Sequence, residues 1–399
     1  MLKIGKQEAD AAARVITSGK LFRFLPGKPG ELGECAWFEK ELAEKTGTKY
    51  ALLVTSGTGA LICALAGLGV GPGDEVIVPA YTFMASPAAV LAVGAVPIIA
   101  EVDESLMLDP ADAEAKLTKR TAAIMPVHMS GLPANMDGVM RIARKHRLRV
   151  IEDACQADGG SYKGKRLGSI GHVGAFSFNY YKNITCGEGG AVVTDNPTIY
   201  ERAIIQHDPG TAFRPHRADL SIEPFIGGAY RMNEILAAVL RVQLKRVDGL
   251  LAKMRNHKRR VVAAIADSGL RLLKNNDPEG DCATTLGLIF DSEDEARAFV
   301  TLIAPGGAWA YRPIDSGRHV YSNWDPILER RGAYHPAMNP YLRPENRGSK
   351  PGYSQNMCPR TTDLLSRAVL IGISPEWTVA NRTQLIKAIK QAAREMGKR

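Results

Sequence analysis

The amino-acid sequence predicts an α/β fold: a large domain with a mostly parallel, seven-stranded sheet flanked by helices, and a smaller C-terminal α+β domain. Strand-like and helix-like segments alternate from Lys49 to Ala154, and the strand-like ones are apolar along their length, as in a sheet covered on both faces. The chain has 399 residues, which exceeds the usual size of one domain. We therefore place the large domain, with an N-terminal arm, at 1–250 and the small domain at 251–399.

The elements of the large domain follow in a regular order. Each predicted strand is an apolar run bounded by turn-forming residues, and the seven runs lie at 49–55, 74–80, 95–103, 121–128, 148–154, 175–183 and within 186–195. Helices are predicted between the first five strands, at 57–69, 86–94, 110–118 and 135–146. Ligands of such sheets bind at the carboxyl ends of the strands, so the residues that follow each strand are the candidates for chemistry.

The pattern after Arg260 is mixed. Helices are predicted at 254–269, at 294–304 and from about Ala380, and a strand is predicted at 284–290. Between them, the segment 312–361 is rich in Pro, Gly, aromatic residues and Arg. Because long irregular segments are more often functional than accidental, we expect this segment to line a substrate pocket.

Composition excludes several classes of protein. Hydrophobic residues make up 45% and charged residues 23% of the chain, which is typical of a globular protein. The longest apolar run, 89–100, is too short for a membrane span and is broken by Gly94 and Pro97. The first residues lack the apolar core of a signal peptide, so the sequence predicts a cytoplasmic protein with no membrane partner.

The cysteines and the net charge bear on disulfides, metal binding and nucleic-acid binding. Six cysteines stand far apart with no CxxC pair, so we interpret them as reduced thiols and expect no metal site. The net charge of +9 raises the question of nucleic-acid binding, but the densest basic runs, 255–260 and 394–399, fit solvated helical faces or a chain end. We expect no nucleic-acid partner. A modest attraction for an anionic small substrate fits the charge equally well.

The end of the first strand carries a possible phosphate site. Ser56, Gly57 and Thr58 stand between a strand and the start of a helix, where free N–H groups and the helix dipole can hold a phosphate. Taken alone, the same residues are also typical of an ordinary helix cap.

Two further strand ends carry an acid and a lysine. Glu152 and Asp153 end an apolar strand, with Gln156 three residues on, and such an acid either pairs with a cationic ring nitrogen or caps the next turn. Lys182 lies between aromatic residues, which we expect to pack around it, and a run of glycines. Apolar surroundings would lower the pKa of this lysine and make it a Schiff-base nucleophile, whereas the commoner alternative is a lysine whose head group reaches water.

Together these features match the needs of one cofactor. A phosphate cradle, an acid for a pyridinium nitrogen and a lysine that captures an aldehyde are what pyridoxal 5′-phosphate requires from a protein. The sequence also resembles the DegT-type sugar aminotransferases, which are fold type I pyridoxal-phosphate enzymes, from about Gly19 to Arg260 and more loosely beyond. The motifs that carry the resemblance are "SGTGAL", "GPGDEVIVPAYTFMAS", "MPVHMSG", "VIEDACQADGGSYKGKRLGSIGHVGAFSFNYYKN", "GEGGAVVTD" and "YRMNEILAAVLRVQL".

The resemblance implies roles for individual residues. Lys182 would form the internal aldimine and move protons at the same carbon, while Asp153 would pair with the pyridine nitrogen. Gln156 would approach the phenolic oxygen of the cofactor, and Phe83 would stack on its ring. The phosphate would be held by Gly57, Thr58 and Ser177. The substrate candidates are Tyr81, Arg231, His319 and Tyr321.

The resemblance also implies an activity. Relatives that dehydrate or deoxygenate sugars carry histidine at the lysine position, so Lys182 favours transamination. Glutamate or glutamine would convert the cofactor to pyridoxamine 5′-phosphate, which then aminates a ketone or aldehyde of a sugar. The family implies a homodimer with shared active sites.

Two positions depart from the family pattern. Ala229 stands where members usually have an asparagine that reaches the cofactor phosphate of the neighbouring subunit, and Arg231 is a candidate to replace that contact. Asp158 stands where many members have histidine, which puts the substrate side of the site in doubt.

The acceptor is the least defined part of the prediction. The motifs "DACQADGGSYKG", "NITCGEGG" and "DPEGD" resemble the branch that aminates the 8-position of 3-deoxyoctulosonate, an acidic sugar of lipopolysaccharide. Nucleotide-linked ketosugars and keto-cyclitols remain open, as does a lyase or decarboxylase of the same fold. A non-catalytic sensor of sugar or pyridoxal phosphate is the alternative from another class, and the joint presence of Lys182, Asp153 and Gln156 argues against it.

Overall fold

The computed structural model describes residues 4–24, 32–307 and 309–398. The elements between residues 49 and 154 alternate as the sequence predicts, whereas the two N-terminal helices, the hairpin at 161–166 and the helix at 197–207 were not predicted. The strand predicted at 175–183 is found at Val173–Ser177 and ends before Lys182. In chain order they are α1 (Lys6–Ser18), α2 (Glu34–Thr46), β1 (Tyr50–Val54), α3 (Gly57–Leu68), β2 (Glu75–Pro79), α4 (Ala85–Ala92), β3 (Val96–Ala100), α5 (Pro110–Ala115), β4 (Thr121–Ile124), α6 (Met136–His146), β5 (Arg149–Asp153), β6 (Ser161–Tyr162), β7 (Lys165–Arg166), β8 (Val173–Ser177), β9 (Gly190–Thr194), α7 (Pro197–His207) and α8 (Glu234–Ala264).

The large sheet has seven strands in the order β1-β9-β8-β5-β4-β2-β3. Strands β8, β5, β4, β2 and β3 pair in parallel, and β9 is antiparallel to both of its neighbours. The predicted α/β class with a mostly parallel, seven-stranded sheet is thus confirmed. Because β9 returns directly beside β8, the turn that joins them lies at the same sheet edge as the end of β1.

The C-terminal part is built on a small antiparallel sheet. Its elements are β10 (Arg271–Leu272), β11 (Thr285–Ile289), α9 (Glu293–Ile303), β12 (Ala310–Tyr311), α10 (Asp325–Leu328), α11 (Pro359–Arg367), β13 (Ala368–Gly372) and α12 (Val379–Glu395). The strand order is β10-β11-β13-β12. The predicted helix at 254–269 is only the end of the 31-residue helix α8. The predicted domain boundary at 250/251 falls inside this helix. The division of the chain into two domains stays a prediction.

The segment between α9 and α11 has little regular structure besides β12 and α10. It contains short 3₁₀ turns at Ala304–Gly306, Pro313–Ser316, Tyr321–Asn323, Pro336–Met338, Pro340–Leu342 and Pro344–Asn346; others occur at Met129–Gly131, Thr211–Phe213 and Pro215–Asp219. Buried side chains hold it in place. Asn346 Nδ2 donates to the carbonyls of Gly94 and Pro340, and the Trp324 indole donates to the carbonyl of Arg318.

Helix α3 shows how local sequence places the site. Ser56 caps it, with Oγ accepting a hydrogen bond from the Gly59 N–H at 3.0 Å, and Gly69 ends it in the left-handed conformation. Its apolar residues are buried against α7, β8 and β9. The N-terminus of the helix is therefore fixed at the carboxyl end of β1.

The described residues include all of the cysteines of the chain. All six cysteines are free. In the described ranges, no helix is long and apolar enough to cross a membrane, and no group of His, Cys, Asp and Glu could hold a metal ion.

Candidate active site

The phosphate site lies where β1 meets α3. The N–H groups of Gly57 and Thr58 have no hydrogen-bond partner in the described part of the chain, whereas the next N–H along, that of Gly59, is capped by Ser56. A Cβ on Gly57 would lie 2.6 Å from Ser177 Cβ and 3.1 Å from Cys155 Sγ. Two free helix-terminal donors and the Ser177 hydroxyl thus surround a space that only a glycine at position 57 leaves open.

A second glycine brings the end of the sheet close to this loop. A Cβ on Gly190 would lie 2.3 Å from the carbonyl oxygen of Ser56 and 2.8 Å from the Gly57 nitrogen. Strand β9 can therefore pair with β1 up to Val54 only because residue 190 has no side chain. Gly190 belongs to the run of glycines that follows Lys182 in the sequence, and this close approach is the reason that it must be a glycine.

Asp153 ends β5 and is buried and oriented. Its Oδ2 accepts a hydrogen bond from the Ser86 hydroxyl at 2.7 Å, and its Oδ1 accepts one from the Cys155 N–H at 3.1 Å. Ser86 lies 2.7 Å from Thr82 Oγ1, so a short chain of hydroxyl groups supports the carboxylate. Because each oxygen makes one of these bonds, each retains a lone pair for a ligand.

The neighbouring acid, Glu152, has a purely structural role. It is fully buried and accepts hydrogen bonds from the N–H groups of Gly168, Ile170 and Gly171 and from His128 Nε2. His128 Nδ1 accepts from a backbone N–H, so the imidazole carries its proton on Nε2. Glu152 thus anchors the loop between β7 and β8.

Lys182 lies in the turn between β8 and β9 and is half-buried. Its positive charge acts on three groups, which are the carboxyl of Asp158, the thiol of Cys155 and the imidazole of His319. The expectation that aromatic side chains pack around this lysine is wrong for this chain, since Tyr180 and Tyr181 are exposed and contact each other edge to face. The groups on which the charge of Lys182 acts are therefore one acid, one thiol and one histidine.

Gln156 is held by the turn at Ser130. Its Oε1 accepts a hydrogen bond from the Ser130 N–H at 3.1 Å, so its amide NH₂ group is the part left to donate to a ligand. Ser130 adopts a positive φ of 54°, and its carbonyl accepts from the hydroxyl of Thr284. The start of β11 therefore supports the turn that positions Gln156.

The predicted substrate residues Tyr81 and His319 meet at the end of β2. Tyr81 pairs with Val320 in an isolated β-bridge, and the Thr82 N–H donates to the carbonyl of His319. The ring of His319 lies 5.7 Å from that of Phe83, which is partly exposed. The irregular C-terminal segment thus crosses the sheet edge at the end of β2, and the charge of Lys182 reaches its His319.

Burial determines the protonation states of His319 and Tyr81. Burial, with the charges of Arg318 and Lys182, lowers the pKa of His319 to about 4, so its imidazole is neutral near neutral pH. Burial raises the pKa of Tyr81 well above its usual value, and its phenol stays protonated. These two groups offer neutral hydrogen-bonding contacts rather than charge.

Two other substrate candidates have different surroundings. Tyr321 is fully buried, and its hydroxyl donates to the carbonyl of Gln355 and accepts from the Cys358 N–H, so it is a core residue. We withdraw it as a substrate contact. The guanidinium of Arg231 donates to Asp208 at 2.6 Å, while its backbone bridges Val54 beside the phosphate loop.

The residues present fit pyridoxal 5′-phosphate. The space at Gly57 and the free N–H groups suit a phosphate, and the buried carboxylate of Asp153 suits a ring nitrogen. Lys182, at the same sheet edge, supplies the amine. Sequence reasoning missed the supporting residues Thr82, Ser86, Ser130 and Thr284. A signal was present for three of them, since Thr82 and Ser86 lie in the quoted motif "GPGDEVIVPAYTFMAS" and Ser130 lies in "MPVHMSG".

Comparison with known sequences agrees with this geometry. Residues 4–302 match the DegT/DnrJ/EryC1/StrS aminotransferase family. A dTDP-3-amino-3,4,6-trideoxy-α-D-glucose transaminase from Streptomyces venezuelae is 44% identical over 268 residues, 66% of each chain. A GDP-perosamine synthase from Caulobacter vibrioides is 44% identical over 216 residues, 54% of this chain and 57% of the relative.

A third relative is an L-glutamine:2-deoxy-scyllo-inosose aminotransferase from Streptoalloteichus tenebrarius, which is 36% identical over 271 residues, 66% of this chain and 63% of the relative. The matched regions span less than two thirds of the length of these three curated relatives. The solved structure of S. venezuelae DesV in complex with a ketimine intermediate superposes with a TM-score of 0.76 at 31% identity, covering 97% of this chain and 94% of that one. The fold thus has a counterpart in a solved structure.

Proposed function

The chain belongs to the DegT/DnrJ/EryC1/StrS aminotransferase family, and on that premise we propose that it transfers an amino group from glutamate or glutamine to a carbonyl carbon of a nucleotide-linked sugar. The observation that carries the proposal is the arrangement at one sheet edge of a lysine, an oriented buried carboxylate and an open phosphate cradle. Such a set serves pyridoxal-phosphate chemistry, whereas a sugar-binding sensor would need neither the lysine nor the oriented acid.

Each residue has a defined task in this reaction. Pyridoxal 5′-phosphate supplies, when bound, an aldehyde that exchanges amino groups and a ring that accepts electron density. The amine of Lys182 can bond to a carbonyl carbon and can move a proton at that position. The carboxylate of Asp153, held by Ser86 and Cys155, would keep a proton on the ring nitrogen. The Gln156 amide would donate to the phenolic oxygen.

The rest of the cofactor would be held by neighbouring groups. The phosphate would lie against the free N–H groups of Gly57 and Thr58 and the hydroxyl of Ser177. Phe83 would cover a face of the ring, and Tyr81 and His319 would contact the sugar as neutral partners. We place these residues in the site from their position at the strand ends.

The relatives favour a nucleotide-linked acceptor. Two of the three are named for compounds that carry dTDP or GDP, and the third is named for a cyclitol and for glutamine as donor. None of the three is named for an acidic octulosonate, so we give up that acceptor as the main proposal. The net charge of +9 suits a nucleoside diphosphate, which is anionic.

We also propose a homodimer. Monomeric proteins usually bury their large apolar side chains. In this chain Tyr181, Phe213 and Ile226 are 75%, 90% and 86% exposed. Burial of these side chains against a second copy would remove that exposure. Sedimentation analysis is expected to give twice the chain mass, and a monomer at micromolar concentration would contradict the proposal.

The decisive experiment follows the cofactor's absorbance. The purified chain with pyridoxal 5′-phosphate is expected to show the visible band of a lysine-bound cofactor, and glutamate or glutamine should convert it to the amine form. Lys182→Ala should abolish the band, and the matched Lys165→Ala, in the nearby exposed hairpin, should keep it. Amination of a dTDP- or GDP-linked ketosugar, followed by mass spectrometry, then identifies the acceptor. Failure to bind the cofactor, or no conversion by either donor, would refute the aminotransferase.

A further inference from the structure

A cavity opens between helix α8 and the small antiparallel sheet. Its volume is about 560 Å³, and small-molecule sites usually have volumes of roughly 300–1,000 Å³. It is lined by α8 between Ala252 and Ala263, by residues of the segment 272–283, by the start of β11 and by Leu132. None of the residues assigned above to the candidate active site lines it. The cavity is therefore a feature separate from that site.

Part of the lining is apolar. Val262 of α8, Leu272 of β10 and Leu286 of β11 contribute to it, together with Leu132. Leu286 is buried, whereas Leu272 is 45% exposed on β10, which is the edge strand of the small sheet. Covering such apolar surface is favourable because it removes the surface from water. This part of the lining suits an apolar ring system.

Four basic residues also line the cavity, and two of them, both lysines, are neutralised by acids. Lys258 Nζ lies 2.5 Å from a carboxylate oxygen of Asp281, which is fully buried. Lys274 pairs with two acids that lie outside the lining, at positions 103 and 104. These lysines therefore leave no positive charge to attract a ligand.

The other two basic residues are arginines of α8, and neither meets an acid. Arg255 donates to the backbone carbonyls of Gly280 at 3.0 Å and Asp281 at 2.7 Å, so no carboxylate offsets its charge. Arg259 is exposed, and its guanidinium has no hydrogen-bond or ion-pair partner in the described part of the chain. The two arginines are four residues apart and thus on one face of the helix. They outnumber Glu279, the one unpaired acid of the described lining.

We propose that this cavity is a binding site for a small amphipathic anion. An apolar ring system would lie against Leu272 and Leu286, and a phosphate, carboxylate or sulfonate group would be bound by Arg255 and Arg259. Guanidinium groups suit such anions because they present several N–H donors in a fixed plane. An uncharged ligand would leave Arg259 unpaired, and an inorganic anion would leave the apolar lining uncovered. The proposal goes beyond the proposed function and does not depend on it.

The test compares two fluorescent probes that share a ring system and differ in charge. Anilinonaphthalene sulfonate carries a sulfonate group, and N-phenylnaphthylamine lacks it; both fluoresce strongly in apolar surroundings. In the full-length chain, Arg259→Gln is expected to raise the Kd of the sulfonate probe about fivefold and to leave the Kd of the uncharged probe unchanged. The matched control is Arg260→Gln, which replaces the adjacent exposed arginine outside the lining and should change neither constant.

Two further variants locate the bound probe. Ala252→Phe adds a ring to the cavity lining from an exposed helical position and should weaken the binding of both probes. Lys182→Ala alters the candidate active site and should weaken neither. Because Ala252 and Arg259 are exposed, their replacement should spare the core, and an unchanged Tm verifies this.

Three results would overturn the proposal. The first is binding of the sulfonate probe that Ala252→Phe leaves unchanged. The second is an effect of Arg259→Gln that is equal for the two probes or is matched by Arg260→Gln. The third is no binding of the sulfonate probe at all, which is expected if a second copy of the chain covers the cavity.

Discussion

The hydroxyl of Ser86 lies 2.7 Å from Asp153 Oδ2 and donates a hydrogen bond to it. Because the single hydroxyl proton of Ser86 is used there, Thr82 must be the donor in the 2.7 Å contact between the two hydroxyl oxygens. The Cys155 N–H holds the other carboxylate oxygen. Two residues, Thr82 after β2 and Ser86 at the start of α4, thus orient an acid at the end of β5 together with the Cys155 N–H.

Removal of this support should weaken the binding of pyridoxal 5′-phosphate. A hydrogen bond to a charged group contributes about 1.5–3 kcal/mol, so Ser86→Ala is expected to raise the Kd of the cofactor roughly tenfold or more. Thr82→Val removes only the outer bond and should have a smaller effect. Fluorescence titration of the apoprotein measures both constants. A Kd for Ser86→Ala equal to that of the unchanged protein would show that the Cys155 N–H alone orients Asp153.

Gly190→Ala should destabilise the phosphate loop. The added methyl group would lie 2.3 Å from the Ser56 carbonyl, so strand β9 must move, at a cost of about 1–3 kcal/mol in the free energy of unfolding. Gly249→Ala is the matched control, because Gly249 lies in α8 with no atom within 4 Å of the new Cβ; there alanine should stabilise by about 0.5–1 kcal/mol. Urea unfolding measures both. Equal effects of the two substitutions would contradict the assigned close approach.

The parallel core was predictable because its strands are continuous apolar runs. The observed β2, β3 and β5 lie inside the predicted ranges, and the ends of β1, β5 and β8 carry the three chemical features that the sequence singled out. Periodicity and strand ends are local properties, so one chain suffices to read them.

The features that the sequence did not predict depend on contacts between segments that are distant in the chain. The bond of Ser86 to Asp153 joins residues 67 positions apart, and Gln156 is positioned by Ser130, which Thr284 supports. The expected aromatic packing at Lys182 failed for the same reason, since exposure of Tyr181 is decided by what surrounds it in space. The short strands β10 and β12 have two residues each and leave no periodic signal.

His319 should affect the acceptor and leave the donor reaction alone. Its neutral imidazole lies beside Phe83 on the segment that crosses the sheet edge, and it makes none of the hydrogen bonds that hold Asp153. His319→Ala is therefore expected to raise the KM for the sugar about tenfold, the value of one lost hydrogen bond and its packing, with little change in conversion of the cofactor by glutamate or glutamine. Steady-state and single-turnover kinetics separate the two. A loss confined to the donor half-reaction would contradict this placement.

Stability should fall in acid because of His207. This buried imidazole donates through Nδ1 to the Ile204 carbonyl, and burial, with the charge of Arg23, lowers its pKa from 6.5 to about 3. The unfolded chain takes up a proton near pH 6.5 and the folded chain only near 3, so the contribution of His207 is full above pH 6.5 and is lost as pH falls through that window. Between pH 7 and 4.5 the loss amounts to about 2–3 kcal/mol. His207→Gln keeps an N–H donor and cannot titrate, so urea unfolding should show a loss smaller by that amount; equal losses in both proteins would mean that the imidazole is protonated in the fold.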